Sequence, residues 1–124
     1  MKTRHYFVSN SSSTSFVLSL KNPPENNTMR LEIPVTFTVD LMKYVDETFN
    51  DRDQFLTYWE EQGYDWSEVR SQSLDALERG ETVYILHVHD EGYGAEKEES
   101  FLCTEGIENV QYPGMTVIYG EGGY

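Results

Sequence analysis

Leu31, Ile33, Val35, Phe37 and Val39 alternate with Glu32, Pro34, Thr36, Thr38 and Asp40, the period-two pattern of a strand with one apolar and one polar face. Pro34 cannot donate to a ladder, so it predicts an edge position or a bulge. From Thr82 to His89 the alternation is different in kind. Val83, Ile85, His87 and His89 fall on one face and Tyr84, Leu86 and Val88 on the other, so apolar residues occupy both and a central strand is predicted. Two shorter runs, His5–Val8 and Phe16–Leu20, read as strands joined by a polar connector, and Met115–Tyr119 reads as a final strand behind the turn pair Pro113-Gly114.

Between these runs the period changes to that of helices. Leu41, Met42, Val45 and Phe49 share one helical face, with Asp40 as N-cap. Asp51-Arg52-Asp53-Gln54 has the acceptor-then-Gln spacing of a capping box, and Gly63 supplies a stop. Asp65-Trp66-Ser67-Glu68 repeats the start, and Val69, Leu74 and Leu77 form a stripe that ends at Gly80. Residues 95–99 favour helix, while 100–104 are compatible with strand. Strands first, two to three short helices in the middle and strands last describe an α+β domain with a mainly antiparallel sheet of about four to five strands. At 124 residues the chain reads as a single domain, residues 1–124, with 120–124 expected as a flexible glycine-rich tail.

Charge sharpens this picture. Nine Lys and Arg against 22 Asp and Glu give a net −13, yet 38% of residues are apolar and 14% aromatic, so the acid belongs to a folded chain. The distribution is uneven. Residues 1–30 carry Lys2, Arg4, Lys21 and Arg30 against Glu25 alone, a locally basic, serine-rich segment on an anionic molecule. Direct nucleic-acid binding is disfavoured because the net field repels phosphates. A single cysteine, Cys103, excludes an internal disulfide and favours a reducing, cytoplasmic setting. The apolar stretches near the N-terminus are too short for a signal peptide or a membrane span, so no membrane association is expected.

Three local features bear chemistry. Ser9-Asn10-Ser11-Ser12-Ser13-Thr14-Ser15 is a run of seven small polar residues between Val8 and Phe16. With Arg4 nearby, Ser11, Ser12, Ser13 and Thr14 form a candidate anion or nucleotide cradle, although the glycines and lysine of a P-loop are missing. The competing reading is a solvated connector bonded to its own backbone. In His87-Val88-His89-Asp90-Glu91 the two histidines lie on one side of a strand and are candidate ligands of a divalent metal, a partial resemblance to the histidine–aspartate clusters of metallohydrolases. Packed or hydrogen-bonded histidines are the alternative. Tyr58, Trp59, Tyr64 and Trp66 place four large rings in nine residues among acids. Asp51, Asp53, Glu60, Glu61, Asp65 and Glu68 with Trp59 or Trp66 as anchor therefore make a candidate contact surface for a basic partner protein. Cys103 with either histidine would make a thiol and base if the fold joined them.

The opening Phe7-Val8-Ser9-Asn10-Ser11-Ser12-Ser13, closed by Phe16, resembles the start of many small uncharacterised proteins of phages and prokaryotes, with Thr14 departing from an unbroken serine run. The resemblance covers about the first 20 residues and implies a provenance but no catalytic residue. Together these features lead to the expectation of a small acidic cytoplasmic interaction protein, a phage-encoded inhibitor occupying a basic surface of a host nucleic-acid-handling or defence protein. The alternative is a small-anion or nucleotide binder, or an enzyme, built on the serine run with a His87/His89 metal site. A component of a symmetric homo-oligomeric assembly is a third reading.

Overall fold

In the computed structural model the described residues are 9–10, 13–33, 37–64, 66–89, 99, 101–103, 106–107 and 112–120. Among them seven strands form two sheets: β1 (Ser9–Asn10), β2 (Ser13–Leu20), β3 (Arg30–Ile33), β4 (Phe37–Asp40), β5 (Val45–Phe49), β6 (Thr82–His89) and β7 (Met115–Tyr119). Two α-helices, α1 (Arg52–Gln62) and α2 (Ser67–Glu78), stand between β5 and β6. The fold is α+β, as the order of patterns predicts.

The main sheet is antiparallel throughout, in the order β5, β6, β2. The far side of β2 is shared, since β1 pairs with Ser13 and Thr14 and β7 with Val17 to Leu20. Both central strands are apolar on two faces because both faces are covered. On one face Phe16, Leu18 and Leu20 of β2 and Tyr84, Leu86 and Val88 of β6 pack against Met29, Val39, Leu41 and Leu102. On the other, Val17, Val83, Ile85 and Phe49 pack against Phe55 and Trp59 of α1 and Val69, Ala76 and Leu77 of α2. Two cores thus share one sheet.

The helix boundaries follow local chemistry. Asp51 caps α1, its Oδ1 accepting from the Asp53 N–H at 2.7 Å, and Gly63 closes the helix in the left-handed region at φ 72°. A Cβ is disfavoured in that conformation, so Gly63→Ala is expected to cost about 1 kcal/mol, read as a lower midpoint in urea denaturation. The break after Lys21 is a short 3₁₀ turn, Glu25–Asn27, in which Asn26 and Asn27 take positive φ, a conformation asparagine tolerates better than most residues.

Four expectations are corrected. Residues 41–49 are not a helix: Leu41–Tyr44 make a single 3₁₀ turn and Val45–Phe49 become the edge strand β5. The predicted cap is present, with Asp40 Oδ1 accepting from the Met42 N–H at 3.1 Å, but β-branched Val45 and Thr48 and aromatic Phe49 favour the ladder that β6 offers. The alternating run 31–39 is not one strand. It supplies β3 and β4, paired to each other from Arg30↔Asp40 to Ile33↔Phe37, and β3 stops one residue before Pro34. The polar connector is shorter than expected, because β2 begins at Ser13 and not at Phe16. Gly120 does not start a free tail: it is buried and its carbonyl accepts from the Ile107 N–H at 2.7 Å. Residues 121–124, the predicted strand at 5–8 and the helix-favouring stretch 95–98 lie outside the described residues, while Phe101–Cys103, compatible with strand by sequence, are helical.

Candidate functional site

The helical layer is where acid meets solvent. Asp51, Asp53, Glu60, Glu61 and Glu68 are all exposed, and so are Asp75 and Glu78. Their exposure follows from helix periodicity, since Phe55 and Trp59 of α1 and Val69, Ala76 and Leu77 of α2 turn to the sheet and leave the acids on the outer side. Residues 51–79 hold eight acids and three bases. Arg52 is drawn to Glu78 (3.6 Å), Arg79 binds Glu81 (3.0 Å) and Arg70 is half-buried; three bases against eight acids leave this segment at −5, a net negative field. Asp65, also expected on this surface, lies outside the described residues.

The aromatic anchor needs correction. Trp59 is 1% exposed, stacked on Phe55 at 5.2 Å and tilted against Tyr64 at 4.8 Å, so it belongs to the core and no partner can reach it. Trp66 is half-buried at the start of α2, edge-on to Tyr119 of β7 at 4.6 Å, and keeps part of its surface open beside the acids. Burial and the neighbouring Tyr64 push the Tyr58 hydroxyl well above the ordinary tyrosine range, which marks this ring too as part of the packed joint between α1 and β5.

A second constellation lies at the end of the sheet near Ser13. The β2–β6 register sets Ser13 opposite His89 and Ser15 opposite His87. Ser15 Oγ lies 3.0 Å from His87 Nδ1, and the His87 and His89 rings meet edge to face at 4.4 Å. Ser15 is 5% exposed, His87 half-buried and His89 exposed. Burial, together with the neighbouring His89, lowers the His87 pKa, with Asp46 of β5 opposing the shift. The end of the serine run and the histidine pair, far apart in the sequence, are thereby brought together. Ser15 follows the four residues of the expected cradle; its hydroxyl is tied to a ring 72 positions away, which no local pattern signals.

Of the residues expected to form the cradle, Arg4, Ser11 and Ser12 lie outside the described residues; Ser13 is a strand residue, and Thr14 is completely buried, closed to a ligand. Cys103 is also fully buried and contacts the Val88 carbonyl, Sγ to O 3.6 Å, in the core on the opposite face from His87, so the fold does not join thiol and imidazole. Among the described residues no group of three or more His, Cys, Asp and Glu converges as a metal would require, and Asp90 and Glu91 lie outside them. No described helix is long and apolar enough to cross a membrane.

Known protein families, curated proteins and solved structures offer no match to this chain.

Proposed function

We propose that this protein is a small acidic interaction protein whose helical layer occupies a basic surface of a partner protein, in the place that nucleic acid would take. The observation that carries the proposal is the exposure of Asp51, Asp53, Glu60, Glu61 and Glu68 on one layer with Trp66 half-buried beside them. A net charge of −13 favours such a partner and repels nucleic acid itself. The serine-rich opening supports a phage or prokaryotic source, and with it an inhibitor acting in a host cytoplasm on a nucleic-acid-handling or defence protein.

Charge complementarity of this kind accelerates encounter and fades with salt. Immobilised protein is therefore expected to retain a basic nucleic-acid-binding protein from nuclease-treated bacterial lysate at low salt and to release it at high salt. The triple variant Glu60→Lys, Glu61→Lys, Glu68→Lys is expected to lose that protein at every salt concentration. Its fold should survive: lysines at 60 and 61 suit the C-terminal end of the α1 dipole, and only lysine at 68, in the first turn of α2, opposes one. Equal retention by the folded variant would sink the proposal.

A further inference from the structure

The geometry points to a site for a borderline divalent cation, Zn²⁺, Ni²⁺ or Cu²⁺, at the Ser13 end of the main sheet, with His87 and His89 as ligands and Ser15 as the residue that positions His87. Residues two apart on a strand project to the same side, and these two rings are already in contact at 4.4 Å. His87 is fixed from below. When Nδ1–H donates to Ser15 Oγ across 3.0 Å, Nε2 is left as the lone-pair nitrogen, the arrangement by which ligating imidazoles are ordinarily oriented. Ser15, at 5% exposure on a central strand, has no room to turn away, whereas exposed His89 is free to complete the pair.

Charge selects the class of ligand. The molecule carries −13, and Asp46 lies close enough to act electrostatically on His87, so the site draws cations and repels phosphates. Imidazole pairs suit zinc, copper and nickel, whereas magnesium and calcium require oxygen ligands. Among the described residues no third His, Cys, Asp or Glu converges on the pair, so the two imidazoles are the protein ligands on which the site is argued. Ser15 as a nucleophile toward an external substrate is disfavoured by its burial.

The test is calorimetric titration of the full, tag-free chain with ZnSO4, NiCl2 and MgCl2, with backbone NMR as a check of fold. One equivalent of Zn²⁺ or Ni²⁺ is expected to bind, with no response to Mg²⁺ at the same concentrations. Binding is expected to vanish in His87→Gln/His89→Gln and to drop sharply in His89→Gln, whose exposed position leaves folding intact. Ser15→Ala is expected to weaken it about 10- to 100-fold and Ser15→Thr, which keeps the hydroxyl, to restore it. Nickel should broaden the ring resonances of His87 and His89. Absence of Zn²⁺ and Ni²⁺ binding, or undiminished binding in the double variant, would overturn the site, and wild-type affinity in Ser15→Ala would overturn the positioning role.

Discussion

Trp59→Ala is expected to destabilise the protein by about 3–5 kcal/mol, the usual cost of deleting a large aromatic side chain from a core. Trp59 is 1% exposed and stands at the centre of an aromatic joint. Phe55 stacks on it at 5.2 Å and Tyr64 meets it at 4.8 Å, while Phe55 in turn contacts Phe49 of β5 edge-on at 5.4 Å. The side chain therefore bonds α1 to the end of its own C-terminal loop and, through Phe55, to the sheet. Its removal leaves a void that the flanking rings, each held by another partner, fill incompletely. Urea denaturation followed by circular dichroism should show a lower midpoint with an unchanged slope. A loss below about 1 kcal/mol would mean that this joint is not packed as described, because even a partly relaxed cavity of that size costs more.

Asp40→Ala is expected to cost about 2–4 kcal/mol, an effect carried by one oxygen. Oδ1 accepts from two backbone amides, Met29 N–H at 2.9 Å and Met42 N–H at 3.1 Å, and so ties the start of the β3–β4 hairpin to the 3₁₀ turn that follows it. Met29 is fully buried and Met42 is 5% exposed, so water does not readily replace the lost acceptor. Hydrogen bonds to a charged group contribute about 1.5–3 kcal/mol each, and an orphaned buried donor costs about 1–3 kcal/mol. Asp40→Asn retains a carbonyl oxygen in the same place and is expected to recover most of the loss. The comparison of the two variants by urea denaturation separates the bond from the packing of the side chain. If asparagine and alanine are equally destabilising, the two amides are not what Asp40 holds.

Asp40 also marks the point where local pattern ceases to govern the chain. Its capping role was legible, since an Asp before an apolar helical stripe is a start signal. What followed it was not. Leu41, Met42, Val45 and Phe49 satisfy a helical face, but Leu41 and Met42 fall in the 3₁₀ turn, and the five residues of β5 take their conformation from pairing with β6 more than 30 positions downstream. The same applies to Trp59 and Trp66: composition shows four rings among acids, but only the packing of α1 against the sheet encloses Trp59, and only the contact of Trp66 with Tyr119 of β7 leaves that ring half open.

By itself the sequence determined the α+β class, both faces of β6, the cap at Asp51 and the stop at Gly63, and the acidic helical layer. Each of these depends on interactions within a few residues, or on periodicity that a single element carries along its own length. The tertiary structure decided that 31–39 folds into a hairpin, that 45–49 becomes an edge strand, and that Ser15 meets His87 across 72 residues. Those outcomes rest on strand register. Register is fixed jointly by two distant segments and by the cores that cover them, so neither segment contains it alone.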